Sequence, residues 1–162
     1  MKEKGFTLVE LMVAIAIIAI LLTLATLNFN EYTRKHNTEA QVKAIFTDLL
    51  AAKVDAVHRR MRYTVVFNVT ANPNTCTITD GNGNATQRTL KHGITTNLGA
   101  GNNLTLQFDT RGFNTTANAP QAVCIADENS LAYDSIVINQ VKVNLAKKNS
   151  GANCASADCV IR

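Results

Sequence analysis

Residues 6–27 read FTLVELMVAIAIIAILLTLATL, and this stretch decides the fold. Its only charge is Glu10. As a helix rising ~1.5 Å per residue, its 22 residues would extend roughly 33 Å, enough to cross a bilayer core of ~30 Å. The lead-in is short: Met1, Lys2, Glu3, Lys4 and Gly5. Two lysines ahead of the run favour a cytoplasmic N-terminus, which would place everything from Asn28 onward outside the cytoplasm. A secretory signal peptide would be shorter and would end in a small-residue cleavage site, but no A-x-A site precedes Asn28. A plain anchor would explain the length but not Glu10. A carboxylate costs ~2.5–3.5 kcal/mol near a bilayer centre, and no basic residue lies between Phe6 and Leu27 to offset it.

Beyond this run the chain changes character. Val42, Ile45, Phe46, Leu49, Ala52, Ala56 and Val57 recur at three- and four-residue steps, while Lys43, Asp48, Asp55, Arg59 and Arg62 fall mostly on other faces. No Pro or Gly interrupts residues 6–61, so the spacing predicts one long helix whose second half lays an apolar stripe on a sheet. After Tyr63 the period shortens to two. Tyr63–Val69, Cys76–Thr79, Leu104–Phe108, Gln121–Ile125 and Ser135–Val143 read as strands, and Gln87–Leu98 as a weaker extended segment. Asn72-Pro73 and Asp80-Gly81-Asn82-Gly83-Asn84 read as turns. Ala146–Arg162 reads as a polar tail. The expected class is α+β, a long N-terminal helix packed on an antiparallel sheet.

Composition bounds the function. The 162 residues are 46% hydrophobic and 17% charged, which excludes a disordered chain, and the net charge of +4 is too mild to imply a nucleic-acid partner by itself. His36, His58 and His92 are scattered, and neither a nucleophile motif nor a phosphate-cradling glycine loop occurs, so no enzyme activity and no cofactor are expected.

Lys2-Glu3-Lys4-Gly5-Phe6-Thr7-Leu8-Val9-Glu10 and the apolar run after it resemble the leader of type IV pilins and type II secretion pseudopilins. The resemblance implies that a prepilin peptidase cuts after Gly5, that the new N-terminal Phe6 is N-methylated, and that Glu10 pairs with the N-terminal amine of a neighbouring subunit. An amine created by cleavage is the counter-charge that Glu10 lacks. Many family members carry Pro where this chain has Leu27-Asn28. The resemblance implies a type IV pilin-like fold, with 1–5 as leader, 6–27 as transmembrane and assembly helix, and 28–162 as periplasmic domain. The chain would sit in the bacterial inner membrane before joining a pilus or pseudopilus, and its partners would be the peptidase and other pilin subunits. Leu50-Ala51-Ala52-Lys53-Val54-Asp55-Ala56-Val57-His58-Arg59 is similar to the L-x-A-R-x-x-A-x-x-R helix end of the GspH/FimT group, with Lys53 in place of Arg. Phe108-Asp109-Thr110-Arg111-Gly112 is similar to that group's F-x-P-x-G turn, with Thr110 in place of Pro. A minor structural subunit is the expected role.

Three side-chain groupings remain. Cys76, Cys124, Cys154 and Cys159 permit two disulfides in an oxidising compartment. Three pairings are open, and 76–124 with 154–159 is preferred over the others and over a zinc site. Asp80–Asn84 mimics the start of a Ca²⁺ loop but lacks Gly at position six and Glu at position twelve, so a plain turn is expected. Arg59, Arg60 and Arg62 cluster where the helix should end, and cations there offset the helix dipole. With Lys142, Lys147 and Lys148 they are the candidate DNA contacts. Some FimT-type minor pilins bind DNA through a G-R-x-R motif, whose glycine and arginines are absent here, so DNA capture stands as the alternative to scaffolding.

Overall fold

The computed structural model describes residues 5–99, 101–116, 119–125, 131–149 and 151–162 and, of residues 24–28, the backbone only. One helix, α1 (Leu8–His58), dominates the N-terminal third. It runs unbroken through Leu27-Asn28, as expected where no proline interrupts the hydrogen-bond ladder. The chain divides into two compact units, Met1–His36 and Asn37–Arg162.

In the first unit the apolar side chains point outward all round the helix. Leu8, Val9, Leu11, Met12, Ile15, Ile18, Ile20, Leu21 and Leu22 are each more than half exposed. Thr23 turns its hydroxyl back to the Ile20 carbonyl at 2.7 Å, which hides a polar group inside an apolar surface. Among the described residues no helix is long and apolar enough to cross a membrane. The span expected from the sequence, 6–27, includes residues 24–27, whose side chains lie outside the described ones.

In the second unit most of the helix stripe is buried as its spacing predicts, but Phe46 is only partly buried and Val57, at the stripe's end, is 47% exposed. Val42, Ile45, Leu49, Ala52 and Ala56 join one apolar core with residues of nearly every strand. Where the sequence predicts one sheet, the described residues form two. The first has the order β3-β2-β1-β5, with β1 Tyr63–Asn68, β2 Thr75–Thr79, β3 Ala85–Thr89 and β5 Leu104–Phe108. The second has the order β4-β6-β7-β8-β9, with β4 Ile94–Thr96, β6 Gln121–Ile125, β7 Ser135–Ile138, β8 Val143–Lys148 and β9 Cys159–Ile161. All pairings are antiparallel. The weak segment Gln87–Leu98 is where the chain changes sheets. The Gln41 side chain fixes the crossing by bonding both the carbonyl and the N–H of His92, at 2.8 and 2.9 Å. Asn74 adds a bond from the Ile94 N–H at 3.0 Å.

The C-terminal third also departs from expectation. Ser135–Val143 is not one strand. The Asn139 N–H donates to the Lys142 carbonyl at 2.8 Å and turns the chain back, so β7 and β8 form a hairpin. The polar tail in turn supplies β9, an edge strand with only Cys159 buried. Single-sided burial at an edge leaves too few apolar positions for an alternating pattern to stand out. β6 and β7 are buried on both faces. Val123, Ile125, Ile136 and Ile138 enter the main core, while Ala122, Cys124 and Val137 meet Ala146, Cys159 and Cys154 on the other side.

The helix ends in a Schellman turn. The Met61 N–H reaches the Ala56 carbonyl at 3.2 Å and the Arg60 N–H reaches the Val57 carbonyl at 3.3 Å, with Arg60 at φ 52°. That is the position glycine fills at no steric cost. Arg60→Gly is therefore expected to stabilise the fold by about 1 kcal/mol. Chemical denaturation would read this as a raised midpoint, and a lowered midpoint would mean that the arginine side chain contributes more than its backbone costs.

Candidate functional site: the N-terminal helix end

The segment that carries the chemistry is the start of α1. Gly5 has no atom within 4 Å of where a Cβ would stand, and Phe6 is 85% exposed. The backbone around the Gly5–Phe6 bond is thus open to an enzyme. Thr7 caps the helix, its hydroxyl accepting the Glu10 N–H at 3.2 Å. Thr7-Leu8-Val9-Glu10 has the spacing of a capping box, and the Thr half of it is formed. The Glu10 carboxylate lies in the first helical turn, where the unpaired N–H groups and the helix dipole favour an anion. This local support was readable as T-x-x-E but is missed when Glu10 is considered only for its charge. It holds the acid at the helix end while leaving it exposed to an incoming cation.

Residues 1–26 match the prokaryotic N-terminal methylation motif. The motif marks a type IV pilin-like prepilin. It implies processing by prepilin peptidase and assembly with other pilins. No curated protein and no solved structure matches the chain.

The cysteines pair differently from the preferred expectation. Cys124 and Cys154 form a disulfide, while Cys76 and Cys159 are free and buried. The pairings 76–124 and 154–159 are both absent. Cys76 lies on β2 in the main core, whereas Cys124 points to the opposite face of the second sheet, into the small cluster beside Cys154. Strand alternation puts Val123 and Ile125 toward Cys76 and turns Cys124 away. Cys159 instead donates its thiol to the Ala155 carbonyl at 3.2 Å. Burial pushes the Cys76 thiol up to about 12, with the Asp48 carboxylate adding to the effect. That thiol is inert at physiological pH.

The basic candidates lie on three elements of the fold. Arg59, Arg60 and Arg62 follow the helix end. Lys142 sits in the β7–β8 turn, next to Val141, whose carbonyl accepts a hydrogen bond from Lys53 Nζ. Lys147 and Lys148 lie on β8 opposite Val160 and Cys159. Asp80 spends its carboxylate on its own turn, accepting the N–H groups of Asn82 and Asn84 at 2.9 Å each and the Asn84 side chain at 2.9 Å. These bonds, led by the Asn84 side chain, hold the Asp80 acid below the usual carboxylate range. Among the described residues no group of three His, Cys, Asp or Glu is placed to hold a metal ion.

Two stretches far apart in sequence do meet. A Cβ on Gly112 would stand 2.9 Å from Val57 Cγ2 and 3.4 Å from Lys53 Cγ, and Gly112 has φ 80°. The Phe108–Gly112 turn therefore seats against Leu50–Arg59 and needs glycine at the contact. Although proline is missing, the turn closes because the Asp109 carboxylate accepts the N–H groups of Arg111 and Phe113, at 2.9 and 2.8 Å. The contact from Asp48 to β3 is a further tie that sequence alone does not reveal. Arg88 grips the Asp48 carboxylate with two bonds, at 2.5 and 3.0 Å, and attaches a strand exposed along its whole length.

Proposed function

We propose that the chain is a structural, non-enzymatic and minor subunit of a type IV pilus or type II secretion pseudopilus, within the GspH/FimT group. The observation that carries this reading is a Thr7-capped helix end that joins a lone carboxylate to a rod of outward-facing apolar side chains. Water is a poor solvent for such a rod, but lipid and a bundle of like rods both suit it. In this reading residues 6–27 hold the chain in the inner membrane, with Met1–Gly5 in the cytoplasm and the domain from Asn28 in the periplasm. The peptidase cuts after Gly5, and the freed amine of Phe6 is methylated. Glu10 of one subunit then draws in the Phe6 amine of another. Moving apolar helix surface from lipid into a helix bundle exchanges one apolar contact for another, so the charge pair can set the register. The GspH/FimT assignment is supported by the two stretches that resemble that group, since the fold seats one against the other at Gly112.

A DNA-capturing minor pilin remains the alternative, but the missing glycine and arginines of the G-R-x-R motif favour a scaffold. The scaffold reading is tested at the leader. Gly5→Asp puts a charged side chain at the cut, and the chain should accumulate in membranes at its full unprocessed mass. Intact-mass measurement on wild type should find a chain that begins at a methylated Phe6. A wild-type chain that keeps Met1–Gly5 in its native membrane would overturn the reading.

A further inference from the structure

The second sheet's outer face gathers three sulfurs. Cys124 on β6 and Cys159 on β9 share a buried cluster with Ala122, Val137 and Ala146, and Cys154 packs against it. The Cys159 thiol is bonded to the carbonyl of Ala155, the residue next to Cys154. Ser135, which stands opposite Cys124 in the β6–β7 ladder, also lies beside that thiol. A free thiol is thus held against an existing disulfide, within a segment whose Ser156–Asp158 turn already folds Cys159 back toward Cys154.

We propose that Cys159 is an internal exchange partner of the Cys124–Cys154 disulfide, so that the C-terminal segment holds its disulfide as either 124–154 or 154–159. The step is redox-neutral. Cys159 gives its proton to water, and the thiolate attacks Cys154 Sγ. The Cys154–Cys159 bond forms as the Cys124–Cys154 bond breaks, and Cys124 leaves as a thiolate that takes up a proton. The resting pairing closes a separation of 30 residues and ties the tail loop to β6. The exchanged pairing closes a short loop within the tail and releases it from β6. It would loosen one wall of the cleft of about 620 Å³ lined by Thr95, Asn97, Lys148, Gly151 and Cys154. The fold holds 124–154 as its resting pairing. Burial raises the Cys159 thiol above its ordinary range, so its thiolate is scarce at neutral pH and the exchange should quicken roughly tenfold per pH unit until the thiol titrates.

The test uses the oxidised full-length chain in mild detergent without reductant. Samples held at pH 7, 8 and 9 are quenched with acid at intervals, alkylated under denaturing conditions and digested with trypsin. Both Cys154 and Cys159 lie beyond Lys148, so an internally bridged tail peptide carries no label, and the label appears on Cys124 instead. The expected result is label moving from Cys159 to Cys124 with time, faster at higher pH and at a rate independent of protein concentration. Cys76 should stay fully labelled as an internal reference. Cys159→Ser should abolish the labelling of Cys124. Label confined to Cys76 and Cys159 at every pH and time would overturn the proposal, and so would equal labelling of Cys124 in Cys159→Ser. The wild-type time course decides the matter even if the variant folds poorly.

Discussion

Replacing Glu10 by Val is expected to leave the chain inserted in the membrane and cleaved, yet nearly absent from filaments. The substitution removes the one charge in residues 6–27 and makes the run more apolar, so membrane retention should if anything improve. What it removes, on the proposed reading, is the partner of the Phe6 amine. Leaving one member of a desolvated ion pair without its counterpart costs about 3–5 kcal/mol, which corresponds to a loss of at least about a hundredfold in an assembly equilibrium. The lost anion at the helix N-terminus costs only ~0.3–1 kcal/mol, too little to unfold a helix of 51 residues. Immunoblots of sheared filaments against membrane fractions separate the two effects. Incorporation of Glu10→Val at the wild-type level would remove the pairing role and leave the carboxylate only its interaction with the helix dipole.

The second large effect belongs to the helix face that meets the sheets. Leu49→Ala is expected to lower the unfolding free energy by about 2–5 kcal/mol, since Leu49 is 0% exposed and lies amid Val65, Phe67 and Leu106 in the same core. Against a typical total of roughly 5–15 kcal/mol this is a large fraction. Val54 is five residues further along the same helix but 62% exposed, and Val54→Ala should change the stability by no more than about 0.5 kcal/mol. Denaturant unfolding of the full chain in mild detergent, followed by circular dichroism, checks both. Equal shifts for the two variants would mean that the stripe does not face the core.

Helix, stripe and strands were legible because each depends on a local period. Val42, Ile45, Leu49, Ala52 and Ala56 announce their face through three- and four-residue spacing, and Leu104–Phe108 through alternation that the burial of Leu104, Leu106 and Phe108 reproduces. The leader was legible for a different reason. Gly5, Phe6 and Glu10 are contiguous, so no folding is needed to bring them together. The division into two sheets was not legible, because Gln87–Leu98 carries no periodic signal. What assigns β3 and β4 to different sheets is the grip of Gln41 and Asn74 on the crossing.

By itself the sequence determined a long helix with an apolar first half, a lone acid in its opening turn, and an antiparallel head. Each of these depends on residues close together in the chain, where spacing alone fixes which side chains share a face. Tertiary structure alone decided which cysteines bond, that Gly112 seats against Val57, and that the polar tail returns as β9. These are pairings across long chain separations. They are set by which face of a strand meets which core, and spacing along the chain carries no record of that.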